Sequence, residues 1–221
     1  PLNYQLGKNF YEENASDRNG NFMPVMAHES PCKTAQPALS NFIRAFSSLT
    51  ERGCDVLCIV LSSALSGTYS SACFAADQVG GNIRVVDSET IGAGMHLLVD
   101  EAVNMVKCGL SFEEVVKHVE GIKKKIGIAF TVESLDRLIA GGRLNNPKAK
   151  TTLNLRPVFS LKGKICFREN ARGSRERLEA LLSAVPENAR RLIVCRCGEG
   201  TDVSEFTRLL HGRYPAVNIH Q

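Results

Sequence analysis

The sequence predicts an α/β protein of two domains, a parallel doubly wound domain over residues 1–126 and a smaller α+β domain over residues 127–221. Three observations carry that prediction. From about residue 37, short apolar runs alternate with stretches of helical periodicity, the pattern of parallel strands joined by crossover helices. Residues 56–61 are continuously apolar, as expected of a strand covered on both faces. After Gly127 the alternation gives way to two strand-like runs flanking Lys162-Gly163-Lys164, which is a hairpin signal.

The elements follow in order. Leu39, Phe42, Ile43, Phe46 and Leu49 recur at helical spacing. The strand at 56–61 leads into a loop of small hydroxylated residues, 62–68, and then a helix over 69–79. Ile83-Arg84-Val85-Val86 is the next strand. Met95, Leu98, Ala102 and Val106 mark a long helix, and Phe112, Val115, Val119 and Ile122 mark another. Ser111 with Glu114 three residues on is a capping box for the latter. Two helices in succession break the strict alternation near residue 110. Residues 128–132 form a strand, and Leu135, Leu138 and Ile139 a short helix stopped by Gly141-Gly142. The hairpin arms are 157–161 and 165–169. Leu178, Leu181, Leu182 and Val185 mark a helix, 192–195 a strand, and Val203, Phe206, Leu209 and Leu210 a last helix. No segment repeats.

Composition excludes several classes. At 43% hydrophobic and 23% charged, with mean hydropathy −0.10, the 221-residue chain is globular rather than disordered. No apolar run approaches ~20 residues, so no helix is expected to span a membrane. The net charge of +4 is mildly basic. Its densest run, Lys123-Lys124-Lys125, has no aromatic within it and reads as the solvated end of a helix rather than a phosphate or nucleic-acid surface. Several of the eight cysteines lie in apolar stretches, which suggests reduced, buried thiols in a cytoplasmic protein. Cys195-Arg196-Cys197 is the one close pair and nothing completes a zinc site with it, and histidines 28, 96, 118, 211 and 220 share no metal spacing. The chain starts at Pro1, shows no signal peptide and ends on a strand-like run at 216–219, so both ends read as cut from a longer protein.

The chemistry points to Leu61-Ser62-Ser63-Ala64-Leu65-Ser66-Gly67-Thr68-Tyr69, which leaves a buried strand and opens a helix. In a parallel α/β sheet ligands bind at this carboxyl edge. Unbonded N–H groups at a helix start attract an anion. Gly67 would let backbone approach that anion, and Ser66 and Thr68 add hydroxyls. Ser66 is equally suited to capping the helix. In Lys33-Thr34-Ala35-Gln36-Pro37, Thr34 could donate to a ligand at the same edge or cap the helix that follows. Arg143, just past Gly141-Gly142, suits a carboxylate or phosphate, a surface position, or the last carbonyls of a helix. Gly92-Ala93-Gly94-Met95-His96-Leu97 lacks the third glycine of a dinucleotide fingerprint, and there is neither a P-loop nor a G-x-S-x-G elbow.

Taken together and in order, these segments resemble the DegV family of bacterial fatty-acid-binding proteins. Lys33-Thr34-Ala35-Gln36-Pro37 stands where that family typically has K-T-S-Q-P, and Ser62 to Tyr69 matches its serine-rich loop. Val86-Asp87-Ser88, Gly92-Ala93-Gly94, Phe130-Thr131-Val132-Glu133-Ser134-Leu135, Gly141-Gly142-Arg143-Leu144, Asn154-Leu155-Arg156-Pro157 and Ala171-Arg172-Gly173 continue the match along the chain. The resemblance implies a long-chain fatty acid such as palmitate, stearate or oleate held between two domains. It implies that the carboxylate sits on Thr34, Ser66 and the backbone at Gly67, with Arg143 near that end. It further implies a carrier without catalysis or cofactor, which presents the carboxylate to a fatty acid kinase for phospholipid synthesis, with Arg172 and Arg175 facing the kinase. Ala35 replaces the usual serine, and the family's opening T-D-S strand and closing H-T-G-P-G segment are absent. The alternative is a serine hydrolase or acyltransferase with Ser66 as nucleophile. That chemistry needs a base beside Ser66, and the sequence names none.

Overall fold

A computed structural model describes residues 2–6, 8–12, 32–144, 148–196 and 203–221. The chain divides into two compact units, Pro1–Ile126 and Gly127–Gln221, and both mix strands with helices.

The first unit opens with a sheet that periodicity did not predict. Strands β1 (Asn3–Leu6), β2 (Asn9–Glu12) and β3 (Cys32–Ala35) pair antiparallel in the order β2-β1-β3. Four residues per strand are too few for alternation to register, and β1 meets β3 only across a long stretch of chain. Tyr4 faces Thr34 on one side and Tyr11 on the other, where the two tyrosine rings stack at 5.2 Å.

The rest of this unit is doubly wound. Helix α1 (Leu39–Thr50) leads to β4 (Val56–Val60), α2 (Thr68–Val79), β5 (Ile83–Asp87), α3 (Gly92–Lys107) and α4 (Phe112–Lys123). β4 and β5 are parallel, with Val60 opposite Asp87. One core joins Phe46 of α1 and Ala72 and Ala75 of α2 to Val56, Val60 and Ile83. The other joins Leu98 and Ala102 of α3 and Val115 and Val119 of α4 to Val86. Covering on both faces explains why β4 is apolar throughout. The capping box forms as expected: Glu114 Oε2 accepts from the Ser111 N–H at 2.8 Å and from its hydroxyl at 2.6 Å.

The second unit is α+β. Strands β6 (Ile128–Thr131), β7 (Leu155–Lys162) and β8 (Lys164–Arg172) form an antiparallel sheet in that order, with the short helix α5 (Asp136–Ala140) between β6 and β7. Gly163 turns the hairpin at φ +74°, a conformation open to glycine at little cost. Phe159 is fully buried, its ring 5.3 Å from Phe130 and 6.1 Å from Phe167. Helix α6 (Gly173–Ser183) packs on this sheet through Ala180 against Val158 and Ala171. It is clasped by Glu133, which accepts from Arg156 Nε at 2.6 Å and from Arg177 Nη1 at 2.8 Å. Strand β9 (Arg191–Ile193), helix α7 (Val203–Arg213) and strand β10 (Asn218–His220) complete the unit, with β9 and β10 parallel. Cys197 and His28 lie outside the described residues.

Two outcomes follow. Phe159→Ala empties the centre of the second unit's sheet and should cost about 3–5 kcal/mol in denaturant unfolding, whereas the same change at the exposed Leu153 should be nearly silent. Glu133 is held below the usual carboxylate range, chiefly by the hydrogen bond from Arg156 and also by the charge of both arginines. A lowered carboxyl pKa contributes stability above the unfolded value of about 4.3, and that contribution disappears as pH falls through the folded value. The difference in melting temperature between wild type and Glu133→Gln should therefore be present at neutral pH and shrink in acid. A difference that grows in acid would contradict the clasp.

Candidate functional site

The loop between β4 and α2 lies at the carboxyl edge of the parallel pair, as in other open α/β sheets. Its backbone folds on itself, with the N–H groups of Leu65 and Ser66 both donating to the Ser62 carbonyl at 3.0 and 3.2 Å. Gly67 is the N-cap of α2, no side chain caps the helix there, and its first turn carries no acidic residue. The first-turn amides of Tyr69 and Ser70 thus keep the positive end of the helix dipole uncompensated by an acid.

Ser66 stands one residue before the N-cap, and its hydroxyl is held within the turn. Its Oγ accepts from the Thr68 N–H at 3.3 Å and lies 2.8 Å from Thr68 Oγ1. A hydroxyl has two lone pairs and one proton. If Thr68 donates both its N–H and its O–H, the Ser66 proton is left to donate outward. Thr68 is itself buried. No His, Asp or Glu among the described residues hydrogen-bonds to Ser66 Oγ.

Thr34 is not a helix cap. It is exposed on β3, and α1 begins at Leu39 behind Ala38, with no side-chain cap. Two residues further on, Gln36 crosses to the serine loop. Its Nε2 donates to Ser71 Oγ at 2.7 Å, and a Cβ added to Gly67 would collide with its Oε1. Gln36 thereby joins the Thr34 segment to the Ser66–Gly67 loop within one unit, a contact that sequence reasoning missed.

A second unforeseen group lies beside the loop. Asp87 Oδ1 accepts from the N–H groups of Ser63 at 3.2 Å and Glu89 at 2.9 Å. The reading of Lys123 as a solvated helix end is corrected. Its side chain is only 10% exposed, its Nζ donates to the Asp87 carbonyl at 3.0 Å, and it pairs with Glu120 at 2.7 Å and Glu89 at 3.5 Å. Burial alone would lower its pKa, but these carboxylates outweigh burial and hold it above the usual lysine value. Lys124 and Lys125 are exposed.

Arg143, Arg172 and Arg175 belong to the second unit. The Arg143 guanidinium donates to the Gly141 carbonyl, so of the three readings open in the sequence it is seen covering the end of α5. Arg172 is exposed and its N–H donates to Glu176 Oε2 at 2.7 Å. Arg175 is 89% exposed and pairs with Glu179 one turn on, at 3.0 Å. A cavity of about 390 Å³ in this unit is lined by Arg156, Arg177, Leu153 and Ser174, but Glu133 already engages both guanidiniums.

No group of three or more His, Cys, Asp or Glu among the described residues could hold a metal. The thiols are less buried than their apolar neighbours suggested: of the six cysteines with described side chains, Cys54, Cys108, Cys166 and Cys195 are exposed, and Cys58 and Cys73 are partly covered. Burial, with Cys73 nearby, pushes the Cys58 thiol up to about 11. No described helix is long and apolar enough to cross a membrane.

Comparison with known proteins agrees with this architecture. A DegV domain-containing protein of Staphylococcus aureus (strain COL) is 30% identical over 190 residues, covering 85% of this chain and 68% of the relative. A crystal structure of a DegV-family protein from Ruminococcus gnavus, refined with vaccenic acid, superposes with a TM-score of 0.84 at 26% identity, covering all of this chain and 82% of the other. The Streptococcus pneumoniae Fatty Acid Kinase B3 protein loaded with linoleic acid superposes with a TM-score of 0.85 over the same shares, and at 24% identity that likeness speaks to the fold alone. The family described as uncharacterised protein, DegV family, matches residues 1–221, and the chain belongs to it.

Proposed function

We propose that this chain is a non-enzymatic carrier that binds one long-chain fatty acid, such as palmitate, stearate or oleate, and presents its carboxylate to a cytoplasmic fatty acid kinase for phospholipid synthesis. The observation that carries the reading is the start of α2. A glycine N-cap, uncompensated first-turn amides and a serine hydroxyl meet at the carboxyl edge of a parallel pair, with the Thr34 segment fastened beside them by Gln36. That is an anion site with donors and no catalytic base. A fatty-acid carboxylate is a single anion on an apolar tail, and each buried methylene contributes roughly 0.8 kcal/mol before ordering costs. The vaccenic acid in the related Ruminococcus gnavus structure supports the ligand class. Thr34, Ser66 and Gly67 hold the carboxylate in this reading, and Arg143 is assigned to the same end on the family resemblance alone. Arg172, at the exposed end of β8, and Arg175, exposed on α6, face the kinase in this reading.

A hydrolase or acyltransferase with Ser66 as nucleophile needs a base to take its proton, and the partners of Ser66 lie within its own turn. No observation favours that reading.

The deciding experiment is mass spectrometry of an organic extract of the purified protein, which should contain a fatty acid in stoichiometric amount. In a fluorescent-fatty-acid titration, Ser66→Ala should lose about 1–3 kcal/mol, a ten- to hundredfold fall in affinity. Ser66→Gly separates donation from capping, since glycine caps almost as well as serine without a hydroxyl. It should keep most of the thermal stability and still lose the affinity. Thr34→Val should also weaken binding, because Thr34 has no capping role to lose. Wild-type affinity in Ser66→Gly would place the carboxylate elsewhere, and ester turnover lost with Ser66 would establish the hydrolase. Changing Arg172 and Arg175 together to alanine should leave fatty-acid affinity intact and slow kinase-coupled acyl-phosphate formation. A fall in affinity instead would put them in the acyl site.

A further inference from the structure

We propose that Asp87 is a positioning residue for the carboxylate-binding loop, and that Lys123 holds the strained turn from which Asp87 acts. The inference rests on the carrier reading of the Ser66 loop and adds to it the residues that hold the loop in place.

Two bonds tie the loop to the end of β5 and the segment that follows it. The Ser62 N–H donates to the Thr90 carbonyl at 2.9 Å, and the Ser63 N–H donates to Asp87 Oδ1 at 3.2 Å. Leu65 and Ser66 hang from the Ser62 carbonyl, so wherever residues 62 and 63 are held, Ser66 and Gly67 follow. Asp87 is thus one bond from the loop and none of its atoms belong to it.

An acid is a costly choice beside an anion site. A carboxylate near the fatty-acid carboxylate repels it, and an aspartate here weakens binding unless it does something else. Its oxygen bridges two backbone amides, one in each loop, at the ends of two adjacent parallel strands. The turn that carries it is strained. Glu89 has φ +55°, the one non-glycine residue at positive φ among the described residues. Such a conformation persists only where its surroundings over-determine it, and it clusters at functional sites. Three bonds fix it here: Asp87 Oδ1 to the Glu89 N–H, Lys123 to the Asp87 carbonyl, and Lys123 to the Glu89 carboxylate. Lys123 comes from the far end of α4, is nine-tenths buried, and is itself anchored by Glu120.

The conservative variant separates position from charge. Asp87→Asn keeps an oxygen that can accept from both amides and removes the repulsion, whereas Asp87→Ala removes the oxygen. Asp87→Ala should lose roughly ten- to hundredfold in affinity for a fluorescent fatty acid, the effect of a lost hydrogen bond to a charged group. Asp87→Asn should bind at least as tightly as wild type. Lys123→Met should weaken binding in the same direction as Asp87→Ala. Amide hydrogen exchange in the ligand-free protein supplies the second readout. In Asp87→Ala the amides of Ser63, Leu65 and Ser66 should exchange faster, while those of β7 and β8 in the other unit stay protected. Three results would overturn the proposal: Asp87→Asn as weak as Asp87→Ala, unchanged exchange in the loop of Asp87→Ala, or a loss of affinity no larger than the loss of folded protein. If the wild-type chain takes up no fatty acid, the carrier reading fails by itself, and the exchange pattern still decides whether Asp87 holds the loop.

Discussion

Two adjacent parallel strands end in backbone groups that no ladder can satisfy, and in this chain the loops that leave them satisfy each other. The Ser62 N–H reaches the Thr90 carbonyl while the Ser88 N–H reaches the Val60 carbonyl, at 2.9 and 3.0 Å. Buried polar groups left unpaired carry a heavy penalty, so this exchange settles where both loops can lie. Ser62, Ser88 and Thr90 are almost wholly buried around it. The proposed anion site at the Ser66 loop depends on that frame, because a helix start attracts an anion only where its amides are held toward one point.

Close approach supplies the second constraint. Gly67 has no room for a Cβ because Gln36 lies against it, and Gly94 has none because Thr90 does. The side chain at Gly67 is the movable end of a glutamine, so an added methyl would displace it and break its bond to Ser71 rather than unfold the helix. That bond joins the residue just past β3 to α2, 35 positions on, and sets the Thr34 segment beside the serine loop. In the second unit the corresponding tie is ionic. One carboxylate, Glu133, draws arginines from β7 and α6 to the end of β6. Exposed ion pairs contribute little, but these guanidiniums are mostly covered while the carboxylate is not, so the pair orients more than it stabilises.

The charge of the molecule is distributed with the same economy. Lys123 is surrounded by Glu120, Glu89 and the Asp87 carbonyl, so a positive group close to the serine loop is spent on the turn that supports it. Arg143 is likewise seen on a helix-end carbonyl, while Arg172 and Arg175 remain at the surface. Donation by neutral groups, hydroxyl and amide, is what the loop itself offers. In the proposed carrier such donors would suit a ligand that is handed on, because an ion pair buried with a carboxylate would hold it more tightly and release it more slowly.

What the sequence determined by itself was local or cumulative. Helices α1 to α4, the capping box at Ser111 and the hairpin at Gly163 were legible because periodicity, caps and turn residues act within a few positions. The family was legible because many weak segments occur in one order. The serine loop stood out as a candidate anion site, since a strand, a glycine and a helix start follow one another directly. Tertiary structure decided the rest, for a common reason: each case depends on groups distant in sequence. Sheet β2-β1-β3 forms by pairing strands too short to carry a period. Lys123 looks solvated in a run of three lysines, yet acids and a carbonyl from another loop bury it. Cys54, Cys108 and Cys195 proved exposed because they fall in the turns and loops between elements, while Cys58 inside β4 is partly covered. Asp87 is an ordinary strand-end aspartate until folding brings the Ser63 amide to it, and Gln36 an ordinary loop glutamine until Gly67 leaves it room.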